Sequence, residues 1–245
     1  MTKILTIIPA RLASTRLPNK PLADILGIPM ISRVFLQAKQ ANLGEIIVAC
    51  DSLEIANEIE KVGGKAIITN PDLPSGTDRV FAAMKSLPNY QDFDIIVNLQ
   101  GDLPAIDPEV IIAAANAAIK SDSDIATVAS IIKDETEINN PNVVKIAIAD
   151  LNNEKLGQAL YFSRAPIPHG KGDYFHHIGI YAYKRAALEK FVSLKPSNLE
   201  KRESLEQLRA LENKMKIAVQ IVDSHPLSVD TEEDLQKVRD LILKK

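Results

Sequence analysis

Short unbroken apolar runs alternate with longer amphipathic stretches through the first half of the chain. Ile4-Leu5-Thr6-Ile7-Ile8, ended by Pro9, is too short for a helix and reads as a buried strand. Glu45 to Cys50, Lys65 to Thr69 and Asp94 to Leu99 repeat that pattern. Runs that are apolar on both faces suit strands covered on both sides, as in a parallel sheet. Between the second and third runs, Ile55, Ile59 and Val62 recur at helical spacing. Asp51 and Glu54 signal the start of that helix and Gly63-Gly64 its end. Repeated strand–helix–strand units predict an α/β fold with a doubly wound, mostly parallel sheet.

The pattern changes after about residue 140. Val143 to Ala149 alternates like a strand, and Gln158 to Pro168 and Phe175 to Tyr183 bring in aromatic and extended segments. Leu199 to Lys214 is rich in Glu, Leu, Lys and Arg, with Leu205, Leu208 and Leu211 on one helical side, and Thr231 to Lys244 reads as a final amphipathic helix. No linker-like composition intervenes. The chain therefore reads as one domain over residues 1–245, with an inserted lobe at about 140–220.

Composition narrows the class. With 245 residues, 46% hydrophobic, disorder is excluded, and no fixed repeat is present. No apolar run reaches the ~18 residues of a membrane span, and Met1-Thr2-Lys3 leads into a strand rather than a signal peptide. The single cysteine, Cys50, forms no internal disulfide, which fits a reducing compartment and a cytoplasmic protein. A net charge of −3 gives no reason to expect nucleic acid.

One segment departs from that acidic balance. From Lys3 to Lys20 the cations Lys3, Arg11, Arg16 and Lys20 occur with no acidic residue before Asp24. This loop follows the first strand, and ligands of open α/β sheets bind outside the carboxyl ends of the strands. Arg11, Arg16 and Lys20, with backbone N–H groups around Ala13 to Thr15, suit a polyphosphate, while Pro9, Pro18 and Pro21 limit the loop's freedom. Neither Gly-x-x-x-x-Gly-Lys nor Gly-x-Gly-x-x-Gly occurs, so ATPase and dehydrogenase readings lose their main support.

Other candidates carry competing structural readings. Asp102 follows the strand ending at Leu99 through Gly101; a carboxylate there suits Mg²⁺, or is simply a turn aspartate. Asp230, with Thr231, precedes the last helix and reads structurally as a cap. Ser75 and Thr77 are placed to cap a helix. Arg164 offers a bidentate fork for a carboxylate or a surface ion pair. His176 and His177, adjacent on a strand, point to opposite faces and do not converge on one ion.

The run Ile8-Pro9-Ala10-Arg11-x-x-Ser14-Thr15-Arg16-Leu17-Pro18-x-Lys20-Pro21-Leu22 resembles the opening of the 3-deoxy-manno-octulosonate (Kdo) cytidylyltransferases. The resemblance continues through Ser75-Gly76-Thr77-Asp78-Arg79, Val97-Asn98-Leu99-Gln100-Gly101-Asp102, Tyr161 to Ala165, His177-Ile178-Gly179-Ile180-Tyr181, Leu205 to Arg209 and Val229 to Leu235. It implies a Rossmann-like nucleotidyltransferase that joins CMP from CTP to Kdo, with Asp102 and Asp230 holding the catalytic Mg²⁺. It also implies that Arg11, Ser14, Lys20, Ser75 and Arg79 bind the nucleotide. Arg16, Gln100, Arg164, His177, Tyr181, Glu206 and Gln207 are implied as sugar contacts, and Arg11, Arg16 and Lys20 as stabilisers of the leaving pyrophosphate. A homodimer paired through the lobe, serving lipopolysaccharide synthesis, is implied in the same way.

Two departures stand out: Leu103 where relatives commonly carry Glu, and a short Pro168 to Phe175 segment beside the sugar lobe. The rival readings are a cytidylyltransferase for another acidic sugar, an 8-amino Kdo analogue or a sialic acid, and a non-catalytic module that binds a phospholigand.

Overall fold

The computed structural model describes residues 2–14 and 16–244, so Thr15 of the first loop lies outside the described residues. The chain divides into two compact units: one from the N-terminal part to Ile112 together with the segment from Pro226 onward, the other Ala113–His225.

The first unit carries the expected alternation. β1 (Ile4–Pro9) is buried throughout, and a two-residue ribbon of β2 (Asp24–Ile25) and β3 (Ile28–Pro29) turns at Leu26-Gly27, both at positive φ. Then come α1 (Met30–Ala41), β4 (Gly44–Cys50), α2 (Leu53–Lys61), β5 (Lys65–Ile68), α3 (Gly76–Lys85) and β6 (Ile95–Leu99). Strand order is β5-β4-β1-β6, with every pair parallel. The chain works outwards from β1 through β4 to β5, then returns to lay β6 on the other side of β1. The carboxyl ends of β1 and β6 therefore flank a topological switch point, where neighbouring connections leave in opposite directions and open a crevice.

One expected start signal changes role, while Glu54 sits in the first turn of α2. Ser52, not Asp51, caps α2, its hydroxyl accepting from Ile55 N–H at 3.3 Å. Asp51 Oδ1 instead accepts from the N–H of Leu12 at 3.1 Å, tying the first loop to the end of β4. Gly63, at φ 73°, ends the helix as expected.

α4 (Pro108–Lys120) leads into the second unit, which contains β7 (Ile125–Ile131), β8 (Lys145–Ala149), β9 (Leu156–Ser163), β10 (Phe175–Lys184), α5 (Arg185–Ser193), α6 (Asn198–Glu203), α7 (Leu208–Glu212) and β11 (Ile217–Val222). Its strands run in the order β10-β7-β11-β9-β8, and β8 meets β10 again at Lys145 and His176. Only β7 and β11 pair in parallel here. This unit starts well before residue 140, because β7 is the strand on which β10 and β11 both assemble. The stretch Leu199 to Lys214 is two short helices rather than one: Ser204 takes the left-handed conformation, φ 54°, and interrupts it.

The last helix, α8 (Glu232–Leu243), returns the chain to the first unit. Leu17, Ile25, Met30, Ala105, Val229, Leu235 and Val238 form one buried cluster. Leu17 is the apolar anchor of an otherwise cationic loop, so burying it fixes the neighbouring Arg16 and Lys20 relative to Asp230.

Candidate active site

A cleft of about 680 Å³ opens at the carboxyl ends of β1 and β6. Arg11, Ser14, Arg16, Lys20, Ser75, Arg79, Gln100, Asp102 and Asp230, the first-unit residues that the resemblance implies for nucleotide, metal or sugar, all line it. Gly101 allows the closeness: a Cβ there would lie 2.8 Å from the carbonyl oxygen of Pro9 and 3.2 Å from Ile31 Cδ1. Gly101→Ala is expected to force β1 and β6 apart at this end, costing roughly 1–3 kcal/mol of stability. Urea denaturation midpoints should fall accordingly; an unchanged midpoint would show that the strand ends are not tightly coupled.

The centre of the cleft is a cation between two carboxylates. Lys20 Nζ lies 3.0 Å from Asp102 Oδ2 and 3.0 Å from Asp230 Oδ1, and Arg16 Nη2 lies 3.2 Å from the same Asp230 oxygen. Burial works against the Lys20 charge, but the two carboxylates outweigh it through charge and hydrogen bonding and raise its pKa. The last helix is capped without Asp230. Thr231 Oγ1 accepts from Asp234 N–H at 3.2 Å, and Asp234 Oδ2 accepts from the N–H groups of Asp230 and Thr231 at 3.2 and 3.1 Å. That leaves the Asp230 carboxylate free to face the cleft. The N–H of Val229 donates to Asp102 O at 2.9 Å, locking the two aspartate-bearing segments side by side.

Two carboxylates converging on one cationic point form the hard-oxygen donor set that suits Mg²⁺. The Lys20 ammonium marks that point, so the residues present fit a divalent cation.

The remaining first-unit candidates are organised by backbone. Ser14 Oγ accepts from Leu17 N–H at 3.4 Å, within the loop, and Arg11 is exposed on the cleft wall. Ser75 caps α3: its hydroxyl accepts from Asp78 N–H at 3.1 Å and donates to Asp78 Oδ2 at 2.7 Å. Arg79 is 2% exposed and donates to Thr69 Oγ1 at 2.5 Å and to Pro71 O at 3.4 Å, so it also braces the segment before α3. Gln100 Nε2 donates to Asn98 Oδ1 at 3.0 Å, which orients its amide.

The other sugar candidates, beyond Arg16 and Gln100, belong to the second unit. His177 and Tyr181 share a strand face with ring centroids 5.5 Å apart, although β10 bulges between them. The bulge adds two residues, so side-chain parity survives. Thr127 Oγ1 stitches it by donating to Ile180 O at 2.7 Å; with its one proton so used, it accepts from His177 Nε2–H at 2.9 Å. Burial, with His176 adding, pushes His177 down to about 3 and keeps it neutral. Burial and the Glu206 carboxylate push the Tyr181 hydroxyl up. Glu206 lies 3.6 Å from Arg209 Nη2, and Gln207 is buried beside it. Arg164 is held by backbone. Its guanidinium donates to the backbone carbonyls of Glu203 at 2.8 Å, Pro141 at 2.9 Å and Ser204 at 3.4 Å, so it braces the segments around it.

Sequence reasoning overlooked Glu203, whose carboxylate accepts from Ser163 Oγ and from the N–H of Arg164, each at 3.0 Å. No local pattern marks it, because its partners lie about 40 residues away.

The fold and the cleft define a nucleotidyltransferase: a cytidylyltransferase family model matches residues 5–217. The chain is 50% identical over 239 residues to the 3-deoxy-manno-octulosonate cytidylyltransferase of Rhodospirillum rubrum, covering 97% of this chain and 95% of the relative. It is 52% identical over 235 residues to that of Parvibaculum lavamentivorans, covering 96% and 91%. The chain belongs to the 3-deoxy-manno-octulosonate cytidylyltransferase family. Among solved structures, CMP:2-keto-3-deoxy-manno-octonic acid synthetase complexed with CTP matches with a TM-score of 0.90 at 38% identity, covering 99% of each chain. A 4-diphosphocytidyl-2C-methyl-D-erythritol synthase from Anaerococcus prevotii, 16% identical with a TM-score of 0.65 over 99% of each chain, shares the fold alone. Among the described residues, no helix is long and apolar enough to cross a membrane.

Proposed function

We propose that this enzyme transfers CMP from CTP to Kdo and releases pyrophosphate. The observation that carries the reading is the convergence of Arg16, Lys20, Asp102 and Asp230 within one cleft, in a chain about 50% identical to Kdo cytidylyltransferases over nearly its full length. The oxygen of the sugar's anomeric C2 hydroxyl forms a bond to the α-phosphorus. The bond from that phosphorus to the bridging oxygen breaks, pyrophosphate leaves with the electron pair, and the hydroxyl proton is released to water. Such a transfer asks the protein mainly for alignment and charge stabilisation.

Asp102 and Asp230 would hold Mg²⁺, which when bound supplies Lewis-acid polarisation of the α-phosphate and lowers the pKa of the attacking hydroxyl. Arg11, Arg16 and Lys20 bind the triphosphate and offset the charge that grows on the leaving group. Ser14, Ser75 and Arg79 shape the nucleotide side of the cleft. Gln100, His177, Tyr181, Glu206 and Gln207 recognise the sugar acid, and Arg164 acts on it through the segments it braces. We extend the same reading to a cytoplasmic homodimer paired through the second unit, whose exposed Leu160 on β9 would be covered there, with a product that feeds lipopolysaccharide assembly.

The test is pyrophosphate release with CTP and magnesium. It is expected only after Kdo is added, and to stop when magnesium is chelated. Turnover with a sialic acid in place of Kdo, or nucleotide binding without turnover under any sugar acid, would favour the rival readings.

A further inference from the structure

The second unit contains a cluster that the transfer reaction leaves unused. Glu137, His176 and His225 each present one ligand-type atom, and the three atoms lie within 4.8 Å of one another. Strand register builds it. His176, near the start of β10, stands opposite Ser130 of β7, while Val222 at the end of β11 stands opposite the same serine from the other side. The chain beyond β11 thus delivers His225 beside His176. Glu137 arrives from the single helical turn Glu135–Glu137 that follows β7.

His176 Nδ1 lies 3.3 Å from His225 Nε2, and that nitrogen lies 3.5 Å from Glu137 Oε1. With bonds of about 2.0–2.2 Å, tetrahedral zinc sets neighbouring ligand atoms about 3.3–3.5 Å apart. Two of the three spacings already match, and rotation of Glu137 on its surface turn closes the third.

The groups around the cluster prepare it for a cation. Ser130 Oγ lies 3.2 Å from His225 Nδ1; with that N–H donated to the serine, the Nε2 lone pair faces the cluster, the outer contact that orients a ligating histidine. Lys145, paired with His176 across the strands, turns its ammonium away to the carbonyls of Asn140 and Val143, at 2.8 and 2.6 Å. The His225 and Glu137 side chains remain 33% and 28% exposed, which leaves access for a cation and a water. Two imidazoles with one carboxylate suit a borderline transition cation, whereas Mg²⁺ and Ca²⁺ prefer oxygen ligands.

We propose that Glu137, His176 and His225 form a binding site for a divalent transition cation of the zinc type, with water completing the coordination. The ion clasps the turn after β7, the start of β10 and the segment after β11, so loading it stabilises the second unit.

The full chain, stripped with EDTA, incubated with zinc chloride and desalted, is expected to retain one zinc per chain and to melt several degrees higher. Cobalt(II) in its place is expected to give the strong visible absorption of a four-coordinate centre. Glu137→Gln, in a turn with no buried residues, and His225→Gln should each weaken zinc retention about tenfold or more, while Asp102→Asn keeps it. Absence of retained zinc in the wild-type chain, retention that survives both ligand substitutions, loss of zinc on Asp102→Asn, or a weak octahedral cobalt spectrum would each overturn the assignment.

Discussion

Asp102→Asn is expected to lower CMP transfer on the order of 10³-fold while leaving the protein folded. Asparagine keeps the shape of the side chain but removes the charge that would hold the cation against the α-phosphate. It also removes one of the two carboxylates that clamp Lys20, whose Nζ lies 3.0 Å from Asp102 Oδ2. Lys20 then keeps only Asp230, its pKa falls back towards the ordinary value, and it settles nearer Asp230, where the metal should bind. Both effects act on the transition state more than on sugar binding, so kcat should fall with little change in the KM for Kdo. Pyrophosphate release at saturating magnesium is the measurement; wild-type turnover would remove Asp102 from the account.

The second large effect is on stability. Arg209 and Glu200 form a two-pronged pair, Nε to Oε2 at 2.9 Å and Nη2 to Oε1 at 2.5 Å, with side chains only 9% and 13% exposed. The guanidinium also lies over the Phe191 ring, 4.9 Å from its centroid. Arg209→Met leaves Glu200 as a buried charge without its partner and is expected to cost about 3–5 kcal/mol. Replacing both, Arg209→Met with Glu200→Leu, should recover much of that loss, because neither charge is then stranded. The pair joins α6 to α7, and Glu206 and Gln207 lie between those helices. The single variant should therefore also raise the KM for Kdo at temperatures where it remains folded. Urea denaturation of both variants decides the matter: equal stability of single and double variants would show that the pair is not the source of the loss.

The first unit was readable because its chemistry follows its strands. Each key block sits just past an apolar run, and a parallel sheet brings those ends to one edge, so the cationic loop after β1 and the Gln100-Gly101-Asp102 block after β6 had to meet. What could not be read was the pairing inside the cleft. Lys20 lies 82 residues from Asp102 and 210 from Asp230, and no spacing rule brings an ammonium between those two carboxylates. Asp51 misled for a related reason: it precedes a helix, yet a distant loop N–H competes for its carboxylate, and Ser52 takes the cap.

The second unit was less legible because register, not periodicity, creates its contacts. Reading His176 and His177 on opposite faces was sound: one meets Thr127 and the other His225. His225 itself carried no signal, since only the shared pairing of β10 and β11 with β7 brings it close. The bracing role of Arg164 was not legible because the three backbone carbonyls its guanidinium meets are invisible in a list of side chains. Ser204 broke a leucine-rich pattern that periodicity alone would continue as a helix.

A structure of the protein with CTP and magnesium bound tests the central claim most directly. The account predicts the triphosphate lying between the loop from Arg11 to Lys20 and the Asp102–Asp230 pair, the ion on both carboxylates, and Lys20 Nζ moved from them onto phosphate oxygen. A triphosphate seated elsewhere, or one bound in the cleft with Lys20 still bridging the two aspartates, would contradict it.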